Sequence, residues 1–306
     1  MIALVIRRLL GALAVIFVVA SAAFFVIRLA PGGPFAQQRK LPPQVRENLE
    51  RSLGLDRPLY QQYFGYLDGL VHGDLGHSIK RPDRSVGEII RTHFPYSLTL
   101  GLLSLTLATV LGLGLAMAAV ARRNSWIDHL CMAFSQLGVS VPTFVLGPIL
   151  ILYFSLRTGW LPPAGAMGPS SYILPSVAMA LGIAGVIARL ARASLVETLQ
   201  EDYIRTARAK GLSEAAVYLR AMRTAIVPVL VWMGPAAASV ITGSIVIEQI
   251  FQIPGLGYYF VNSVTDRDHT VLAGILVFYC VLLVAFNFAV DIIRGLLDPR
   301  LREAHR

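Results

Sequence analysis

Six long apolar runs, most of them ending in arginine, constrain this chain more than any other feature. They cover residues 9–29, about 96–121, about 129–156, about 172–193, about 225–250 and about 271–294. A helix needs ~20 apolar residues to cross the hydrocarbon of a bilayer, and each run is long enough. With 55% hydrophobic and 15% charged residues, an ordinary soluble domain is excluded. The net charge of +9 is carried mostly by arginines at the ends of these runs, which reads as a topology signal and not as a nucleic-acid surface. Arg7, Arg8, Arg122, Arg123, a cluster near 205–223 and the tail all fall on one side of a six-span chain. The expected fold is therefore an all-α polytopic membrane protein with six transmembrane helices and both termini cytoplasmic. Arg267 is the exception, in a short external loop. The first run follows Arg7-Arg8 and is too long for a signal-peptide core, so it predicts an uncleaved first span despite the small residues at 21–23.

The domain plan follows. Residues 1–30 hold the N-terminus and first span, and 31–94 form a small polar external domain punctuated by Pro and Gly. Residues 95–298 hold five more spans, and 299–306 form a cytoplasmic tail. Pro142 and Pro148 interrupt the third span, as a flexing element or as packed kinks. Gly101, Gly112 and Gly114 suit close helix contact in the second.

Between the fourth and fifth runs lies YIRTARAKGLSEAAVYLRAMRTAIVP, residues 203–228. It carries Arg205, Arg208, Lys210, Arg220 and Arg223, and a basic side chain at the bilayer centre costs roughly 2.5–3.5 kcal/mol. This stretch therefore stands in water or against another protein. Tyr203, Ile204 and Ala207 share one helical face; Leu212, Ala215, Leu219 and Met222 share another. Gly211 stands where the first helix would end in a left-handed residue, Ser213 can cap the second, and Glu214 faces the positive end of its dipole.

This stretch resembles the cytoplasmic coupling loop, about 201–224, of the membrane subunits of ABC importers. Ala207, Gly211 and Pro228 fit the family pattern of Glu-Ala-Ala, three residues, Gly, and a later Pro. Arg205 and Thr206 replace its Glu-Ala, so a partner group facing Arg205 would be acidic or a carbonyl. The variant RTARAKGL is similar to the peptide-transporting branch, as are residues 55–67, 72–80 and VIEQIFQIPGLG at 246–257. The resemblance covers essentially the whole chain and looks most like the B-type subunit of the oligopeptide permease family. It implies a second homologous membrane subunit, two ABC ATPase subunits and a periplasmic or extracellular peptide-binding protein as partners. It also implies a peptide substrate, a bacterial inner membrane location, and ATP and Mg bound only on the ATPases. Similar subunits carry dipeptides, nickel chelates and peptide-like antibiotics.

The residues agree that no cofactor, metal or catalytic group is expected on this chain. No G-x-x-x-x-G-K-[ST], H-E-x-x-H or G-x-S-x-G occurs. Cys131 and Cys280 lack metal-ligand spacing, and His72 and His77 have no third ligand. The fifth run is the most polar within the membrane, with Ser239, Thr242, Ser244 and Glu248 as a candidate substrate pathway. Glu248 could meet a peptide amino terminus or cap backbone amides of the segment after it. Pro254, Gly255 and Gly257 break that segment and are candidates for an external gate. Asn287 and Asp291 share a face in the last run, with Arg294 as a local partner for Asp291. Segments 55–67 and 72–80 either meet a binding protein or line the outer mouth, or fold the external domain onto the spans. A self-sufficient secondary transporter would show matched halves with paired broken helices, and no repeat is evident. The expected mechanism is mechanical: ATPase closure grips a knob around Gly211, with Ala207, Leu212 and Ala215 packed into a partner groove and Arg208 and Lys210 steering. The knob would drag the ends of spans four and five.

Overall fold

The computed structural model describes residues 2–29, 44 and 56–297. Among these, the one feature of regular pairing outside helices is an isolated antiparallel bridge between His77 and Ser85. Helix α1 is Ile2–Leu29, α2 is Leu59–Val71, α3 is Val86–Ala121 and α4 is Trp126–Ser140. α5, Thr143–Leu150, runs on as a π-helical segment, Ile151–Arg157. α6, Ile173–Thr198, follows a 3-10 turn at Pro169–Tyr172. Two short helices come next, α7 at Asp202–Ala209 and α8 at Glu214–Ala225. The remainder is α9 (Val227–Gly243), α10 (Ile245–Ile250), α11 (Leu256–Thr265) and α12 (His269–Leu297).

Five stretches are long and apolar enough to cross a membrane: Ile6–Leu29, Val86–Ala121, Pro169–Thr198, Val227–Ile250 and His269–Ala289. The expected third span is not one helix. α4 and α5 meet at 100°, and only the pair together makes a sixth candidate, as a broken span or a re-entrant loop. The 15 residues of α4 rise about 22 Å, short of the ~30 Å hydrocarbon core. Pro142 causes the break. It has no N–H to donate, and it pushes Val141 into an extended conformation (φ −85°, ψ 117°).

The chain divides into two compact units, Met1–Tyr96 with Pro254–Val284, and Ser97–Ile253 with Ala285–Arg306. In the first, Val86, Ile89 and Ile90 of α3 pack on Leu256 of α11 and on Val271 and Ile275 of α12. α3 starts at Val86 because the Ser85 hydroxyl caps it, accepting from Glu88 N–H at 3.1 Å, and the helix runs on through Pro95. The sequence had placed residues 86–94 in the external domain. Most of the expected segment 31–55, the tail 299–306 and the side chains of Asp291 and Arg294 lie outside the described residues.

A short loop in the same unit closes on α12. Val86 N–H donates to the Gly76 carbonyl at 2.9 Å and Ser78 N–H to the Arg84 carbonyl at 3.0 Å. Asp268, 4% exposed, gathers this loop. Its carboxylate accepts from the Ser78 hydroxyl, from Ile79 N–H at 3.1 Å, and from Val271 N–H at 3.3 Å as the cap of α12. HGDLGHSIK thus folds part of the polar region onto the start of the last helix.

In the second unit α3, α6 and α9 share a core built mostly from alanine, including Ala108, Ala180 and Ala184, with Ile187 and Val229. α4 lies directly on α6. A Cβ at Gly138 would sit 2.6 Å from the Leu181 carbonyl oxygen, and one at Gly185 would collide with that of Ser135. Small residues allow such backbone approach in membrane helices. Gly101 and Gly112 likewise face Ile241 and Ile187, but Gly114 faces open space and makes no such contact.

Candidate functional site

α7 and α8 form an angled pair whose turn is set by backbone chemistry. Gly211 has φ +79°, a left-handed conformation that glycine adopts without a side-chain clash. Its N–H donates to the Arg208 carbonyl at 2.9 Å, and Leu212 N–H donates to that of Ala207 at 3.3 Å. These two bonds are the Schellman closure of a helix. The Ser213 hydroxyl then accepts from Ala216 N–H at 3.4 Å and starts α8. Across the turn, Arg208 grips Glu214 with two hydrogen bonds, Nε to Oε1 at 3.0 Å and Nη2 to Oε2 at 3.3 Å. That hydrogen-bonded carboxylate raises the Arg208 pKa above the usual guanidinium value. An exposed pair of this kind contributes at most about 1 kcal/mol, so it orients the turn more than it stabilises it.

One side of the pair is fixed to the chain itself. Ile204, Val217, Ala221 and Ala225 are fully buried against Val120 at the end of α3 and Leu195 near the end of α6. Ala207 is buried too, at 2% exposure, so it does not face a partner as expected from sequence. On α8 the inward residues are Val217, Ala221 and Ala225, one helical turn apart, while Ala215 and Leu219 point outward, Leu219 being 65% exposed. Leu212 and Met222 are half-buried at the edge. The outward side carries Arg205, Thr206, Arg208, Lys210, Gly211, Ala215 and Leu219, all exposed. Pro228, also exposed, stands in the first turn of α9.

One turn before Leu195, α6 is clamped to α4. Arg192 Nε and Nη2 reach the two carboxylate oxygens of Asp128 at 2.7 and 2.6 Å, and Asn124 N–H adds a third bond at 3.0 Å. The Asp128 side chain is 3% exposed and that of Arg192 is 28%. The knob therefore sits on a frame of α3 and α6, with α6, the fourth span, locked to α4, and α8 runs on through Ile226 into α9, the fifth.

The candidate pathway residues do not form one surface in this conformation. Ser239 is exposed and Thr242 half-buried, its hydroxyl bonded to the Ala238 carbonyl at 2.8 Å. Ser244 and Glu248 are buried, at 1% and 0%, and hydrogen-bond to each other. Ile253 N–H is taken by the Glu248 carbonyl at 2.9 Å, which closes the chain after α10. Of the candidate gate residues, Gly255 caps α11 in an extended conformation and Gly257 is buried in its first turn. The Pro254 carbonyl lies 2.8 Å from His93 Nδ1.

Comparison with known proteins places this architecture. The family of binding-protein-dependent transport system inner membrane components matches residues 108–303, and its N-terminal companion matches residues 1–101. The chain belongs to this family. It is 41% identical to the oligopeptide transport system permease protein OppB of Haemophilus influenzae, over 99% of this chain and all of that one. It is 42% identical to the dipeptide transport system permease protein DppB of Bacillus subtilis, over 97% of each. Among solved structures it resembles a chain of the MetNI methionine ABC transporter, with TM-score 0.59 and 18% identity, over 69% of this chain and 96% of that one. That likeness shows the fold. The protein is a multi-pass integral membrane subunit of the ABC-importer permease type.

Three features escaped sequence reasoning: the Asp128–Arg192 clamp, the Arg208–Glu214 grip and the Asp268 hub. An acid inside or just before an apolar helix was the available signal for the first and third.

Proposed function

We propose that the chain is one membrane half of an ATP-driven importer that moves oligopeptides from a binding protein outside the membrane to the cytoplasm. The single observation that carries this reading is a knob held from beneath by its own spans, with a basic and apolar outward face. Such a face needs a partner, and the chain encodes no nucleotide cradle of its own. The names of its relatives supply the substrate class, oligopeptides or dipeptides. Two ABC ATPase subunits press on this face and on its counterpart in a sister membrane subunit. With α7 and α8 packed on α3 and α6, their displacement moves those spans as a body. The coupling is a contact made more strongly in one state than in the other. In this reading both termini and the knob are cytoplasmic, the membrane is the bacterial inner membrane, and ATP and Mg bind on the partners.

Purification through a tag on this chain, from its own membranes, tests the assembly. An ABC ATPase and a second multi-span subunit should accompany it in fixed ratio. A chain that purifies alone and moves peptide along an ion gradient would overturn the reading.

A further inference from the structure

α2 is tied sideways to the C-terminal end of α1. The Ser21 and Tyr63 hydroxyls are 2.7 Å apart, and the Tyr63 ring lies 5.4 and 5.1 Å from those of Phe24 and Phe25. Tyr66 stacks on Phe24 at 5.4 Å. Arg28 hydrogen-bonds the Gln62 side chain, with its guanidinium 5.3 Å from the centre of the Phe24 ring. These α1 residues lie within the last turns of the stretch Ile6–Leu29, which is apolar enough to span. From Ser21 to the end of α1 is about 12 Å along the axis. α2 is therefore held where hydrocarbon gives way to headgroups.

The rest of α2 is amphipathic. At about 100° per residue, Tyr60, Phe64, Leu67 and Val71 fall within an arc of about 60°. Tyr60 is 62% exposed, Phe64 65% and Val71 83%, with Leu67 half-buried. Gln61, Gly65 and Asp68 occupy a different exposed arc. α1 exposes Val26 and Leu29 at the same end, so the apolar surface that α1 offers to lipid is shared by the helix bound to it. A stripe with two aromatic rings, no charge and a single hydroxyl suits the boundary where tyrosine rings gather.

We propose that α2 is an interfacial helix, with its Tyr60–Phe64–Leu67–Val71 stripe seated in the headgroup–acyl boundary of the leaflet at the C-terminal end of α1. Gln61 and Asp68 then face water, and the height of the polar region that follows is set by the bilayer itself. The occupant of the stripe is phospholipid, because α2 is held at the depth of the interface by a span whose own exposed surface is apolar.

The test places an environment-sensitive fluorophore on Phe64→Cys and, separately, on Gln61→Cys, in a Cys131→Ala, Cys280→Ala background. The chain is purified through a tag with whatever binds it and placed in phosphatidylcholine–phosphatidylglycerol nanodiscs. At position 64, nitroxide carried high on the lipid chains should quench more strongly than aqueous iodide. At position 61 the order should reverse. Tyr60→Cys repeats the reading should Phe64→Cys fail to assemble. Iodide quenching at 64 equal to that at 61 would overturn the proposal, because the stripe would then lie in water. Protection of 64 from both quenchers would overturn it equally, because protein would then cover the stripe.

Discussion

Leu219→Glu separates a docking surface from a packing surface on one short helix. Leu219 is 65% exposed on α8, whereas Val217, two residues earlier, is fully buried against the chain's own core. Adding a carboxylate to the exposed side should change the stability of the chain by no more than ~0.5 kcal/mol. If a partner subunit covers Leu219, the same change removes about 1–2 kcal/mol of apolar burial, taken as its exposed share of a buried leucine. An unpaired charge in the interface raises the loss to about 2 kcal/mol or more, close to 30-fold in affinity. Val217→Ala should do the opposite, costing about 2 kcal/mol of chain stability from two lost methyl groups and the void they leave, with the outward face intact. The assays are retention of the ATPase through purification and peptide-stimulated ATP hydrolysis, read beside thermal unfolding of each variant. Full retention and stimulation in Leu219→Glu, at wild-type unfolding temperature, would refute the assignment of this face to a partner.

Two further outcomes follow from local geometry. At Gly211 nothing lies within 4 Å of an added Cβ, so a substitution acts through φ alone. Gly211→Val should cost about 1–2 kcal/mol in the turn and Gly211→Asn less, with stimulated hydrolysis falling in that order; equal activity in both variants would contradict the role of the turn. Asp268→Ala removes the cap of α12 and the anchor of the 78–80 loop, together about 2–4 kcal/mol, and should speed tryptic cleavage at Lys80 or Arg84. Unchanged cleavage kinetics would show that the loop is held elsewhere.

Much of this was legible in the sequence because its causes are local. Arginines bounded the apolar runs, and Gly211 with Ser213 announced a left-handed residue and a cap, as the structure shows. The buried face of α8 was hidden for a physical reason. It is built largely from alanine, which carries little hydropathy, while the larger apolar residue Leu219 points outward. A pattern read by hydrophobicity therefore finds the outward Leu219 side and passes over the inward one. The 100° bend between α4 and α5 was half legible, since Pro142 marks the break but nothing local fixes the angle. Ser78 and Asp268 are 190 residues apart, and no periodicity links them. Ser244 and Glu248, one turn apart, were readable as neighbours, yet their burial depends on the packing of the whole second unit.

The central claim is that work enters this chain from outside, through the α7–α8 face. Peptide uptake into proteoliposomes, with this chain and its co-purified partners and with ATP supplied or withheld on the ATPase side, tests it most directly. The account predicts accumulation that requires ATP and is lost when Leu219→Glu strips the ATPase from the complex. Accumulation by the chain alone, without nucleotide and along an ion gradient, would contradict it.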